Sequence, residues 1–426
     1  MRTTFRLSMS YFRSEYFFLL LTGFLFFLPF YQKASVICIL LMLIFWLVSG
    51  DVKKSFTEMK RDKKVVLFLF FFLAHVVGLA YTTNFSFALF DLQTKLSFLF
   101  FPLLFCSFKI SDERWKKLKW VFVSGCFVAV LLCLFFAFGN YLENQSLSFF
   151  YYSRYSHFLH PTYFSFYLNL SVLFLLDELI RTWKTNSFLM KIILIFLIYF
   201  FFINIFQLSA RTATITAFIT CFMFCLFLWK KNYSSLKQIG LLSLFFLSLL
   251  MIQQLLLQNL NRFEQVEEAW SHTGNTDLKS DPTIEESNST NLHFLIWKNS
   301  LELIGRDPFC GVGTGDVKDE LIKTYEKNNF KIGVASRYNA HNQFLNTTVA
   351  IGLMGLISLL LIFYIGIITS LKHRDWIFFS FLVMIFLNSM TESILETQSG
   401  ILFFASFNML FYLRNRTKNQ ELTTKN

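Results

Sequence analysis

Apolar residues in this chain come in long unbroken runs, well beyond what a strand or one face of a surface helix needs. Twelve can be read, roughly 16–31, 34–49, 65–81, 96–109, 120–138, 161–179, 190–207, 212–229, 239–256, 342–370, 376–392 and 399–413. About 20 consecutive apolar residues make a helix that crosses a bilayer, where each backbone polar group must be satisfied inside the segment. The pattern predicts an all-α fold, a polytopic transmembrane helical bundle of about 12 spans.

One polar interruption, about 257–340, is far longer than the others. Its early part, H-T-G-N-T-D-L-K-S-D-P-T-I-E-E-S-N-S-T-N (272–291), is turn-rich. The stretch L-H-F-L-I-W-K-N-S-L-E-L-I (292–304) then has the spacing of an amphipathic helix. Leu292, Leu295, Ile296, Asn299 and Leu303 fall near one face, Asn291 is placed as a cap, and Gly305 and Pro308 end it. A second helix is expected from Asp316 to about Lys327, with Val317, Leu321 and Tyr325 on one stripe. The chain so divides into N-terminal spans (1–189), a core containing the long loop (190–370) and a C-terminal pair of spans with a basic tail (371–426).

Composition agrees: 55% of the residues are hydrophobic, against about 45–50% in a soluble domain. The 59 phenylalanines are spread through every span and read as lipid-facing and packing bulk. The first apolar run follows Arg2, Arg6 and Arg13 like a signal peptide. Its exit, L-P-F-Y-Q-K, lacks a small-x-small cleavage site, so it is read as a retained first helix. Six of the seven cysteines lie in or beside spans, and Cys310 stands alone in the long loop. Neither a disulfide framework nor a metal-ligand spacing follows from them.

Charge sets an orientation. One side of the predicted bundle collects 26 of the 39 Lys and Arg residues, including both termini, the stretch 53–64 and the short loops at 115–119, 181–186, 229–237 and 371–375. The other side has Lys33, Lys95, Arg154 and Arg211 in short connections, and nine basic residues in the long loop against 13 acidic ones. By the positive-inside rule both termini are cytoplasmic and the long loop lies outside the membrane's cytoplasmic face. The net charge of +12 then reflects topology and needs no nucleic-acid partner.

The polar residues worth weighing gather at the outer ends of the spans. His341, in Y-N-A-H-N-Q-F-L, stands where the long loop becomes a helix, with Asn339, Asn342, Gln343 and Asn346 adding polarity. Histidine's ordinary titration lies near neutral pH, which suits a proton acceptor, although interfacial histidines also serve as plain hydrogen-bonders. Arg211, in Q-L-S-A-R-T-A-T-I-T-A, begins the eighth span among small residues that would let a bulky anion approach. The same small residues suit helix packing, and an arginine there also snorkels. Arg154, His157 and His160 sit at the mouth of the sixth span. Lys95, with Asp91 at i−4, starts the fourth, and Glu392 and Glu396 are placed one helical turn apart at the end of the eleventh. Gly352 and Gly355 would permit close helix contact.

The run G-V-G-T-G (311–315) lacks the G-x-x-x-x-G-K-[ST] spacing and the strand–helix setting of a phosphate loop. It reads as a tight turn, or as backbone N–H groups meeting an anionic head group. No D-x-D or E-x-D stands in the outer loops, so a bound diphosphate would depend on arginine, whose fork matches phosphate oxygens. No metal or cofactor is expected.

Taken in order, L-S-A-R-T-A-T-I-T-A (208–217), R-D-P-F-C-G-V-G-T-G (306–315) and A-H-N-Q-F-L (340–345) resemble the O-antigen ligase/polymerase family. The resemblance covers about 190–370 well, and H-P-T-Y (160–163) and T-E-S-I-L-E-T-Q-S-G-I (391–401) fit more loosely. It implies a metal-independent, inverting glycosyltransferase in the bacterial inner membrane, with its active site facing the periplasm. The implied donor is an undecaprenyl-diphosphate-linked glycan, and the acceptor in the ligase branch is lipid A–core. By position, His341 would activate the acceptor hydroxyl and Arg211 would hold the diphosphate. Arg154, His160, Lys95, Asn342 and Glu392 are further candidates for substrate contact. Repeat-unit polymerases and protein O-oligosaccharyltransferases share these motifs. A lipid-linked glycan transporter would instead need paired ionisable residues deep within spans, and a scaffold protein would transfer nothing.

Overall fold

The computed structural model describes residues 2–49, 52–106, 108–232 and 289–423. The expected ninth span (239–256) and most of the turn-rich stretch 272–291 lie outside the described residues. The helices run α1 (Arg2–Phe27), α2 (Gln32–Val48), α3 (Val52–Arg61), α4 (Lys63–Val77), α5 (Phe85–Lys95), α6 (Ser97–Cys106), α7 (Asp112–Asn144), α8 (Tyr152–Tyr155), α9 (Pro161–Arg181), α10 (Phe188–Gln207) and α11 (Arg211–Asn232). After the long loop's first part come α12 (Ser289–Arg306), α13 (Val317–Lys327), α14 (Lys331–Ser336), α15 (Gln343–His373), α16 (Trp376–Ser389) and α17 (Gln398–Thr423). There is no strand among the described residues.

Among the described residues, five stretches are long and apolar enough to cross a membrane: Phe85–Cys106, Asp112–Asn144, Pro161–Arg181, Phe188–Gln207 and Gln343–His373. Shorter apolar helices, such as Val65–Tyr81 and Trp376–Ser389, accompany them. The described residues are all-helical, and their apolar helices are those of a multi-pass membrane protein. One span begins earlier than its polarity suggested. Thr82–Lys95 reads as a connection, yet helix starts at Phe85, where the Asn84 side chain accepts the Phe87 N–H at 3.1 Å. Asp91 and Lys95 are tolerated in it because they neutralise each other across one turn, at 2.5 Å.

The helices form two compact units. The first comprises Met1–Phe17, Leu40–Asp112 and Asp281–Asn426, and the second Phe18–Ile39 and Glu113–Ser280. In the second unit α9 is buried along almost its whole length, and the Tyr155 hydroxyl donates to Asn204 of α10. At the far end of α9, Asp177 accepts from Lys119 of α7 (3.0 Å) and from Arg181.

In the first unit α17 is the interior helix. Phe403, Phe407 and Phe411 pack around Phe381 of α16 in edge-on and tilted contacts, so much of the phenylalanine bulk is core. The ladder of α15 is interrupted at Ile351 (φ −135°, ψ 22°) and Gly352 (φ 65°, ψ −161°). The freed groups do not face lipid unpaired. The Val312 and Gly313 N–H groups donate to the carbonyls of Val349 (2.8 Å) and Ala350 (3.0 Å), and the Leu353 N–H donates to Pro308 (2.9 Å). A Cβ on Gly352 would lie 2.0 Å from the Phe309 carbonyl oxygen, and one on Gly311 2.5 Å from that of Val349. The glycines thus let a loop enter a broken helix, where the sequence suggested helix-on-helix contact at Gly352.

That docking also decides the two readings of G-V-G-T-G. The N–H groups of Gly311, Val312, Gly313 and Gly315 are all committed, to Asp307, Val349, Ala350 and the Thr82 hydroxyl. The run is a structural turn, with its backbone donors turned inward. Beside it, Asp316 accepts from the N–H groups of Thr83 (2.6 Å) and Asn84 (2.7 Å), tying the start of α13 to the start of α5. Burial opposes its ionised form, but these donors outweigh burial and hold its carboxyl below the ordinary 3.8.

Candidate active site

The long loop's two predicted helices are present, and they place His341. α12 starts at Ser289, two residues before the expected cap at Asn291. It buries Ile296 and Leu303 in a cluster with Val317, Leu321 and Tyr325 of α13, and Asn299 and Ser300 are buried too, while Leu295, expected on the same face as Ile296, is exposed. Glu302 staples the pair, accepting from Lys327 (2.8 Å), Asn328 (2.7 Å) and Arg306 (3.0 Å), which lowers its carboxyl to about 2. The short helix α14, which carries no clear periodicity, was not predicted.

His341 then sits in the turn into α15 with φ 41°, a left-handed conformation uncommon outside glycine. Its own N–H donates to Asn339 (3.0 Å), and its carbonyl accepts from the Trp297 indole (3.4 Å). Its Nδ1 is buried with no hydrogen-bond partner, 3.6 Å from a Glu392 carboxylate oxygen. That gap is beyond a hydrogen bond but close enough for charge attraction. The ring also meets His293 edge-on at 5.4 Å between centroids, and Tyr338 at 5.5 Å.

Asn342 caps α15. Its Oδ1 accepts from the N–H groups of Phe344 (2.9 Å) and Leu345 (3.1 Å), and its amide donates to the Met390 carbonyl (3.0 Å). The next residue, Gln343, receives the Leu395 N–H at 2.6 Å and donates to Glu396 (3.2 Å) and Thr347 (3.0 Å). Glu396 in turn accepts from Lys95 at 3.1 Å. Lys95 is only 1% exposed and is held by Asp91 and Glu396 together. Glu392 and Glu396 do not share a helix as their spacing suggested. α16 ends at Ser389, and the chain then turns so that one carboxylate faces His341 and the other faces Lys95.

The remaining sequence-predicted residues belong to the second unit. Arg211 is exposed at the first position of α11, directly after a turn in which Ser209 is left-handed (φ 52°). Arg154 lies in α8, donating to the Ser148 hydroxyl (2.6 Å) with its guanidinium over the Phe149 ring. His160 stands at the residue before α9, its side chain making no cap hydrogen bond, and meets the rings of Tyr152 and Tyr163 edge-on. His157 stacks on Phe136 at 4.4 Å. The structure thus brings His341, Asn342 and Glu392 together directly and links Lys95 to them through Glu396 and Gln343. Sequence reasoning missed His293 and Trp297. Their i, i+4 spacing on α12 was a signal that both reach the same spot.

No group of three His, Cys, Asp or Glu residues among the described residues is arranged to hold a metal ion. Fold and site define a class, a multi-pass helical membrane protein whose histidine at a loop–helix junction is supported by a carboxylate and a buried ion-pair network. A family model described as O-antigen ligase matches residues 192–360, a region that includes both Arg211 and His341. That match supports an O-antigen ligase-related family, a group of glycosyltransferase-like enzymes of ligase and polymerase type. No curated protein matches the chain.

Proposed function

We propose that this protein transfers a glycan from undecaprenyl diphosphate to lipid A–core on the periplasmic face of the bacterial inner membrane. The acceptor oxygen bonds to the anomeric carbon as the bond from that carbon to the diphosphate breaks, and the configuration inverts. The diphosphate leaves with the electron pair, and the hydroxyl proton passes to His341. Such proton transfer contributes a factor of about 10²–10⁴ in rate. Glu392 stabilises the imidazolium that forms, while the Arg211 fork neutralises the departing diphosphate. Arg154 and His160 are secondary contacts for the donor. Lys95 and Asn342 act by positioning, through α15. No metal takes part.

The observation that carries this reading is the His341 imidazole, with an unpartnered buried Nδ1, a carboxylate 3.6 Å away and a position inside the matched family region. The charge asymmetry of the loops supports the sidedness. The test uses His341→Ala and Arg211→Ala in purified protein, with donor and rough lipopolysaccharide, in the presence of chelator. Each variant should fold and transfer nothing while wild type remains active; normal transfer by either refutes the assignment. Gels of lipopolysaccharide from a deletion strain separate the branches. Loss of attached chains with accumulated lipid-linked polymer means ligase, whereas attachment of single repeat units means polymerase.

One observation favours a second reading. Asp91 and Lys95, paired inside the apolar stretch Phe85–Cys106, are what a transporter of lipid-linked glycans would carry. Movement of donor across proteoliposomes without glycan transfer would establish it.

A further inference from the structure

His293 stands beside His341 and is used by nothing described so far. α12 grips residue 341 through one turn: Trp297 donates to its carbonyl at 3.4 Å, and His293 lies edge-on to its ring, 5.4 Å between centroids at 82°. Trp297 also packs against His293 at 5.9 Å, so the turn is braced internally. The Nδ1 atoms of both histidines are buried and lack hydrogen-bond partners. A buried polar atom left unpaired calls for an explanation, and two in adjoining rings point to a polar guest. Burial first, and then His341, hold the His293 imidazole below its ordinary 6.5, with Glu392 opposing. At neutral pH His293 is therefore uncharged, with one ring nitrogen that donates and one that accepts.

We propose that His293 is an acceptor-binding residue of this site, holding the attacking sugar hydroxyl against His341 by a hydrogen bond to its ring. It rests on the reading of His341 above and adds the group that orients the nucleophile. His293 exchanges no proton in the reaction; the hydroxyl proton goes to His341. A hydroxyl held at both rings explains why a second imidazole with an unpartnered nitrogen is built beside the first.

The experiment compares His293→Phe, His293→Gln and His341→Ala with wild type, using rough lipopolysaccharide as acceptor and reading kcat and KM separately. Phenylalanine keeps the edge-on packing and removes the ring nitrogens. H293F should raise the acceptor KM about tenfold, the effect of one lost hydrogen bond to substrate, with donor KM unchanged. H293Q, which restores a polar group, should recover much of that loss. Wild-type acceptor KM in H293F overturns the proposal, as does equal impairment in H293F and H293Q. If H293F does not fold, diethyl pyrocarbonate labelling of wild type decides instead. Rough lipopolysaccharide should shield His293 and His341 together, and shielding of His341 alone overturns the inference. Retained activity in H341A would sink the underlying reading, so the two failures are distinct.

Discussion

Replacing Lys95 by methionine should be far more damaging than a charge change at a membrane edge would be. Lys95 is 1% exposed, donates to Asp91 at 2.5 Å and to Glu396 at 3.1 Å, and leaves two carboxylates facing each other when removed. Breaking a buried pair by deleting one partner costs about 3–5 kcal/mol, because the remaining charge is uncompensated. Two hydrogen bonds to a charged group, at about 1.5–3 kcal/mol each, give the same order. The loss also reaches the proposed active site, since Glu396 holds Gln343, two residues from His341. Thermal unfolding in detergent should fall by several degrees in K95M, and transfer should slow in the fraction that stays folded. The neutral set D91N/K95M/E396Q should recover most of the stability, because no charge is left buried. K95M/E396Q should fall between them, with a coupling of about 1–3 kcal/mol for residues in one network. Wild-type unfolding of K95M would refute the reasoning, and so would a triple variant no better than K95M.

Two further perturbations test the scaffold. Gly352→Ala forces a side chain into a left-handed position 2.0 Å from the Phe309 carbonyl oxygen; it should cost at least about 2 kcal/mol and loosen the 308–313 loop, measured by unfolding and by protease cleavage there. Asp316 ionises more readily in the folded chain than its ordinary 3.8, so its stabilisation is present above that value and lost as pH falls below it. Asp316→Asn should therefore flatten the acid limb of a stability-versus-pH curve and lower stability at pH 7 by about 1.5–3 kcal/mol; an unchanged acid limb would remove the Thr83–Asn84 latch from the account.

The parts of this molecule that were legible in its sequence are those where one property dominates over many residues. Apolar runs revealed α7, α9, α10 and α15, and the stripes Ile296/Leu303 and Val317/Leu321/Tyr325 revealed the paired helices α12 and α13. His341 was legible because polar residues crowd a place where a helix should turn apolar. Pairwise cancellation was not. Lys95 marked the edge of a span only while Asp91 was taken as a neighbour rather than as its counter-ion inside a continuing helix. Gly352 read as a contact site because the break at Ile351–Gly352 depends on the loop that fills it, some 40 residues earlier in sequence. His293 stayed hidden because its importance lies entirely in what faces it. The same logic bears on the chemistry. Gln343, Glu396, Lys95 and Asp91 come from three separate segments, and none touches the His341 ring in the described contacts. Their linkage nevertheless fixes the first residues of α15, and the base proposed at His341, which must meet a hydroxyl within about 3 Å, depends on that fixity as much as on its own nitrogen. Substitutions that spare His341 but break this chain should therefore lower kcat with little effect on donor affinity, separating the positioning of the base from the binding of its substrate.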